Sequence, residues 1–198
     1  MYNNIAEHYN ILIEKDNDSY RDPPELQEYM NKWDGKVFID LLNANKNSNI
    51  LEIGIGTGRL ACKVSPLCNR LCGIDLSHKT IERAKENLNR FRNIDFICDD
   101  FMTHKFVSKF DIIYSSLTFM HIKEKQQAIN KIYSLLNDNG RFVLSIDKNQ
   151  DNIIDAGYSK IEIYPDTPPN ITNCMNLCGF IIKTICETDF AYIFVAKK

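Results

Sequence analysis

Asn49-Ile50-Leu51-Glu52-Ile53-Gly54-Ile55-Gly56-Thr57-Gly58-Arg59-Leu60 is the stretch that decides the fold. A short apolar run ends in a carboxylate, three glycines follow at every second residue, and an apolar-periodic stretch begins at once. The order reads as strand, tight loop, helix. Glycine permits the positive φ such a loop needs and removes the Cβ atoms that would hold a ligand off the main chain. The helix that follows presents unpaired N–H groups at its start. By itself the pattern also describes an ordinary glycine-rich turn, so the rest of the chain must supply the other walls of a nucleotide site.

Downstream, strand and helix patterns alternate. After strand 50–53, Gly58 to Ser65 reads as a helix that Pro66 helps to end. Residues 70–74 form a second strand closed by Asp75. Ser77 is placed to cap a helix to about Arg90, with Ile81, Ala84, Leu88 and Phe91 inward. Strand 94–98 ends at Asp99-Asp100, and strand 111–115 ends at Ser115-Ser116. Lys123 to Asn137 is a helix with Ala128, Ile129, Ile132, Leu135 and Leu136 as its buried stripe, and 141–146 is a fifth strand. Such alternation implies right-handed crossovers and a parallel sheet covered on both faces. Beyond Asp147, residues 148–157 are polar, 158–164 alternate like an edge strand, and a short helix ends at Cys178-Gly179. Strands 180–186 and 190–196 are joined only by Glu187-Thr188-Asp189, too short for a parallel crossover, so that pair must be antiparallel.

Upstream, residues 1–48 are polar, aromatic-rich and free of strand runs. Ile5 to Ile13 suits a short helix with Ile5, Tyr9 and Leu12 on one face. At Asp22-Pro23-Pro24-Glu25, Asp22 is a candidate cap, Pro23 a first helical residue and Glu25 the return of a capping box. Leu26, Tyr29 or Met30, Trp33 and Val37 recur at helical spacing, with Gly35 a possible break. The 198 residues fit one domain: a helical N-terminal cap or lid over 1–48 and a core over 49–198.

Twenty-four Lys and Arg against 26 Asp and Glu give a net charge of −2, with no basic block. A nucleic-acid partner is therefore not expected. The longest apolar stretches are strand-sized and no leader pattern opens the chain, so a cytoplasmic protein without a membrane partner is expected. Seven cysteines, with no Cys-x-x-Cys pair or His/Cys ligand spacing, point to thiols in a reducing compartment and to no metal site.

In an open parallel sheet, ligands bind at the carboxyl ends of the strands where strand order reverses. Here the first four strand ends carry Glu52 with Gly54, Gly56 and Gly58, then Asp75, then Asp99-Asp100, then Ser115-Ser116. Carboxylates favour loops and caps in any fold, but Asp75, 21 residues after the first glycine, is placed to accept from a ribose diol. A nicotinamide dinucleotide site would want Gly-x-Gly-x-x-Gly. This chain has Gly-x-Gly-x-Gly with Glu52 two residues ahead, and a carboxylate there suits a cation better than a diphosphate.

Leu51 to Gly58, Gly73-Ile74-Asp75-Leu76-Ser77, Phe96 to Phe101 and Phe110 to Ser115 resemble, in order and spacing, the motifs of the class I S-adenosylmethionine-dependent methyltransferases. The resemblance runs from about Ile50 to the last residue. It implies an α/β, Rossmann-like doubly wound sheet of seven strands, mostly parallel with an antiparallel C-terminal strand. It implies S-adenosyl-L-methionine as cofactor and S-adenosyl-L-homocysteine as product. Glu52, Gly54, Gly56, Thr57 and Gly58 would face the methionine portion, Asp75 with Leu76 the ribose, Asp100 and the Phe101 N–H the adenine, and Ser115 the methionine side. The family usually has Gly-Asp at 99–100, so Asp99 rivals Asp100 here.

The acceptor is read from absences. Ser115-Ser116-Leu117-Thr118 is not the Asn/Asp-Pro-Pro-Tyr/Phe signature of methylases acting on planar amino groups, and no Pro-Cys dipeptide offers a thiolate. A small-molecule acceptor is expected, under aromatics from the cap (Tyr2, Tyr9, Tyr20, Tyr29, Trp33) and the 148–170 insert (Tyr158, Tyr164). Tyr29 and Trp33 read equally as packing residues of a helix. His121 is the candidate catalytic base, its other reading being an exposed residue at the start of the next helix. Oligomeric state is not legible. An NAD(P)-linked oxidoreductase and a non-catalytic cofactor-binding protein are the rival readings.

Overall fold

In strands buried on both faces, successive residues belong to opposite layers. Leu51, Ile113 and Phe142 pack with Ile129, Ile132, Ile171 and Met175 on one side, while their neighbours Ile50, Ile112 and Val143 pack with Phe38, Leu42, Val64 and Ile81 on the other. This is a computed structural model that describes residues 2–157 and 159–198, with side chains for 5–157 and 159–198. The Tyr2 side chain and Tyr158, both candidate lid aromatics, lie outside the described residues.

The seven-stranded sheet contains β1 (Asn49–Ile53), β2 (Arg70–Asp75), β3 (Ile94–Cys98), β4 (Phe110–Ser116), β5 (Leu136–Asp147), β8 (Ile181–Glu187) and β9 (Ala191–Lys197). Their order is β3-β2-β1-β4-β5-β9-β8. The first five are parallel, whereas β9 runs antiparallel to both β5 and β8, as the three-residue connection requires. Strand order reverses between β1 and β4, which pair in register Ile50↔Ile112 to Ile53↔Ser115. Among the described residues no helix is long and apolar enough to cross a membrane.

Helices α1 (Tyr2–Glu14), α2 (Pro24–Met30) and α3 (Gly35–Leu42) precede the sheet, and α4 (Ala61–Val64), α5 (His78–Asn87), α6 (Lys125–Leu135) and α7 (Pro168–Cys178) lie within it. Ser77 caps α5 by accepting from Thr80 N, and Gly179 closes α7 at φ 95°. Several expectations need correction. The helix after Asp22 begins at Pro24, because a residue before proline is pushed into extended backbone. Pro23 therefore sits outside at φ −60°, ψ 156°, and Asp22 caps nothing. Gln27 Nε2 instead donates to the Asp22 carbonyl at 2.8 Å. Gly35, at φ 60°, is the break that the sequence allowed; the split leaves Leu26, Tyr29 and Val37 about half exposed while Phe38 and Leu42 are buried. Trp33 and Tyr29 pack against Phe190, with ring centroids 4.7 and 5.7 Å away, which makes them packing residues.

Helix α4 is shorter than expected, since the glycine loop extends to Leu60 and Pro66 falls in a 3-10 turn. Strand β5 starts early because Leu136 pairs with Phe110 ahead of a register shift. The alternating stretch near 158–164 is not an edge of the main sheet. Lys160–Glu162 (β7) pairs antiparallel with Ile153–Asp155 (β6), hidden in the polar run before it, as a separate hairpin.

The N-terminal helices are fastened to the sheet by polar contacts. Asn10 Oδ1 accepts from Ser77 Oγ at 2.8 Å, joining α1 to α5. Buried Asp18 accepts from Asn87 and Arg83 on α5. Asp34, at the start of α3, takes both Arg59 terminal nitrogens at 2.9 and 2.5 Å and the Ser116 hydroxyl at 2.8 Å. Burial works against its charge, yet the Arg59 guanidinium holds the Asp34 carboxyl below its ordinary range. Asp34→Ala leaves a buried guanidinium without its partner, and the expected loss is about 3–5 kcal/mol of unfolding free energy. Urea midpoints at constant slope measure it; a loss below about 1 kcal/mol would mean that Arg59 reaches water.

Candidate functional site

The glycine loop is possible only as glycines. Gly54 has φ 78°, and a Cβ there would strike the Thr118 side chain, so β1 and the segment after β4 meet at van der Waals distance only without one. Gly56 has φ 56°, and a Cβ there would meet nothing, because the position opens onto empty space. That space is a cleft of about 310 Å³ at the carboxyl ends of β1, β2 and β4. It lies at the reversal point, where the two crossovers diverge to opposite faces of the sheet.

Glu52, Gly54, Gly56, Asp75, Leu76, Asp99, Asp100, Phe101 and His121 all line this cleft. Thr57, Gly58 and Ser115 do not. Thr57 Oγ1 accepts from Tyr20 N and contacts Ser19 Oγ, each at 3.3 Å, holding the segment between α1 and α2. Gly58 sits against Leu88. Ser115 Oγ is fully buried and donates to the Ile53 carbonyl at 3.2 Å, while Ser116, Leu117 and Thr118 form the wall in its place. Residues missed by sequence reasoning complete it: Asn17, Ser19 and Met30 from the cap, and Arg59. Arg59 directly follows the last glycine, which is the one signal available; nothing in the sequence marks Asp34 as its partner.

Glu52 is 3% exposed, and its hydrogen bond among the described residues comes from the Tyr114 hydroxyl at 2.7 Å. Burial pushes its carboxyl up to about 8, against the pull of that hydroxyl and of Arg59. Asp75 accepts Gly56 N at 3.1 Å on one oxygen and Ser77 N at 3.0 Å on the other, and burial raises it too. Asp99 has both oxygens engaged, by Asp100 N and by His104 Nδ1, each at 2.8 Å, and the His104 contact lowers its carboxyl. Asp100 accepts Met102 N on one oxygen and has no hydrogen-bond partner on the other among the described residues.

His121 is not exposed at a helix start. It ends the 3-10 turn Phe119–His121, is 7% exposed, and bonds through Nε2 to the Tyr9 hydroxyl at 2.9 Å. Its Nδ1 is buried and unpartnered. Burial, then His8 and Lys125, push the imidazole down to about 4, so the ring is neutral at ordinary pH. Of the candidate lid aromatics, Tyr9 alone among the described residues lines the cleft. No group of three His, Cys, Asp or Glu residues that could hold a metal occurs among the described residues.

Residues 51–144 match a family model described as a methyltransferase domain. Malonyl-[acyl-carrier protein] O-methyltransferase 1 of Ilyobacter polytropus is 31% identical over 129 residues, 64% of this chain and 47% of that protein. An uncharacterized methyltransferase of Anoxybacillus flavithermus is 26% identical over 216 residues, covering 100% of this chain and 96% of that protein. The chain spans about half the length of the first curated relatives it matches. Among solved structures, magnesium protoporphyrin IX methyltransferase from Synechocystis with bound S-adenosylmethionine superposes with a TM-score of 0.76 at 15% identity, covering 98% of this chain and 95% of that one. N-methyltransferase NodS from Bradyrhizobium japonicum, in complex with S-adenosyl-L-homocysteine, gives 0.69 at 18% identity over 90% and 89%. These likenesses establish the fold.

The Glu52 environment has a measurable consequence. The native carboxyl holds its proton to about pH 8, whereas an unfolded one releases it near 4.5. Between those values the native state binds more protons, so stability falls as pH rises, by up to about 1.4 kcal/mol per unit. Glu52→Gln lacks this dependence. The difference in unfolding free energy, wild type minus variant, is expected to decline from pH 5 to 8; a flat difference would show Glu52 to be ionised throughout.

Proposed function

We propose that this chain, whose residues 51–144 match a methyltransferase-domain family model, is a class I S-adenosylmethionine-dependent methyltransferase that transfers a methyl group to a small-molecule acceptor by in-line displacement. In this reading residues 49–198 bind the cofactor and 1–48 serve as its cap. The observation that carries it is Glu52, a buried carboxyl lining the cleft beside the glycine loop. A cation placed beside it would draw off its proton and pair with the carboxylate, whereas a diphosphate would keep it protonated and gain no charge pairing. The rival dinucleotide reading needs a helix N-terminus for pyrophosphate, and α4 is only four residues long, beginning at Ala61.

The residues present fit the cofactor. Each Asp75 oxygen accepts one backbone N–H and retains capacity for a ribose hydroxyl. Asp100, with an unengaged oxygen, suits the adenine amino group better than Asp99, which His104 occupies. Leu76 and Phe101 offer apolar walls, the open face of Gly56 leaves room beside Glu52 for the methionine portion, and Ser116 to Thr118 take the role first assigned to Ser115.

When bound, S-adenosylmethionine supplies a methyl group already activated by its sulfonium leaving group. The chain's own work is to hold the acceptor in line, exclude water and receive a proton where the acceptor retains one. The cap excludes water through Tyr9, Asn17, Ser19 and Met30. Neutral His121 is the proposed proton acceptor, oriented by Tyr9.

Calorimetry with S-adenosylhomocysteine and NAD tests the reading. S-adenosylhomocysteine is expected to bind and NAD not; the reverse overturns it. Asp75→Ala is expected to weaken S-adenosylhomocysteine by more than about tenfold, and unchanged affinity would remove Asp75 from the site. With labelled methyl donor and a metabolite panel, His121→Ala is expected to lower kcat about 10²-fold with cofactor affinity unchanged. An unaltered kcat would leave His121 a packing partner of Tyr9, and tight cofactor binding with no transfer to any acceptor would favour a non-catalytic role.

A further inference from the structure

A second cavity, of about 90 Å³, lies between the carboxyl ends of β4 and β5 and the β6–β7 hairpin. A water molecule's share of liquid volume is about 30 Å³, so this space admits a small organic group. It shares Leu117 and Thr118 with the donor cleft, so the two spaces adjoin at these residues. Leu117 holds φ 54°, a conformation that non-glycine residues seldom adopt and that concentrates at working sites.

The polar wall is built from acceptors. Asp166 lines the cavity at 4% exposure, and its Oδ1 is buried with no partner. Lys125 does not supply one. Its ammonium has three donors, and they go to the Phe119 carbonyl at 2.6 Å, the Tyr164 carbonyl at 2.9 Å and Asp166 Oδ2 at 3.0 Å. Asp147, at the end of β5, lines the same cavity, with one oxygen accepting from Asn149 N at 2.8 Å. The Ser145 and Thr118 hydroxyls already donate, to the Trp33 and Ser116 carbonyls. Two carboxylates against one ammonium leave the pocket one negative charge in excess, with a buried oxygen lacking a donor.

We propose that this cavity is the acceptor subsite, and that the methyl acceptor places a protonated amine there, received by the Asp166 and Asp147 carboxylates. The inference rests on the methyltransferase reading of the adjoining cleft and narrows its substrate class to small amines. An acceptor entering with a carboxylate would meet that excess negative charge, with the Ser145 and Thr118 hydroxyls already donating elsewhere. Burial holds the Asp166 carboxyl above its ordinary range, as expected for a group whose paired lysine does not fully compensate it. A cationic guest supplies the missing donor.

The test uses the full chain saturated with S-adenosylhomocysteine, which blocks the donor cleft, titrated with propylammonium, 1-propanol and propionate while the Ile154 and Ile163 methyl resonances are followed by NMR. Propylammonium is expected to shift those methyls and to bind at least about tenfold more tightly than the other two probes. Asp166→Asn is expected to abolish that preference. Because Asp166 is buried against Lys125, Asp147→Asn at a more open position is the companion variant, expected to weaken propylammonium several-fold in a folded protein. Equal affinity for the three probes, a preference for propionate, a preference surviving both variants, or no binding by any probe would overturn the subsite. S-adenosylhomocysteine affinity, measured beforehand on the same protein, separates this from failure of the methyltransferase reading.

Discussion

The buried pair of Asp34 and Arg59 joins three parts of the chain at one carboxylate. Arg59 closes the glycine loop, Asp34 starts α3, and Ser116 ends β4; one carboxylate takes hydrogen bonds from both of the others. Alone, either charge would be costly in a site this dry. Together they fix the cap against the loop and place a guanidinium beside Glu52, where its pull partly offsets the burial of that second carboxyl. One contact thus contributes both to the position of the cap and to the electrostatics of the cleft.

The cleft is electrostatically unusual for a nucleotide pocket. Glu52, Asp75, Asp99 and Asp100 all line it, while Arg59 is the only arginine or lysine on its wall among the described residues and already faces Asp34. Diphosphate recognition works the opposite way, with helix N-termini and cations. A ligand that is cationic at one end and rich in hydroxyl and amino donors elsewhere suits Glu52 and the acceptor capacity that Asp75 and Asp100 retain. The charge pattern therefore separates cofactor classes that the strand–loop–helix pattern leaves together.

What the sequence revealed and what it hid divide along the range of the interactions. Local signals were legible: the Ser77 cap, the Gly179 stop, and the forced antiparallel turn at 187–189 each depend on a few neighbouring residues. The strand-end carboxylates were legible too, because parallel topology sends every strand end to the same rim. The Asp34–Arg59 pair was not, since 25 residues and a chain reversal separate its members. Strand β6 was hidden because its partner alone gives Ile153 and Ile154 a reason to extend. Ser115 shows the finest limit: side chains alternate along a strand, so a displacement of one residue exchanges the buried face for the cleft, and Ser116 with its followers holds the wall.

His121 follows the same logic. The residues around it read as a polar helix start, yet the 3-10 turn Phe119–His121 carries it under the cap, where α1 lays Tyr9 against it. A histidine so placed is neutral for a structural reason: the ring is desolvated and the groups whose charge acts on it, His8 and Lys125, are basic. Lys125 in turn is held by Asp166 and by two carbonyls flanking the second cavity. The proposed proton acceptor and the proposed acceptor pocket therefore share one lysine between them. Through it, the cation that works against protonation of the imidazole is the one that Asp166 pairs beside the pocket.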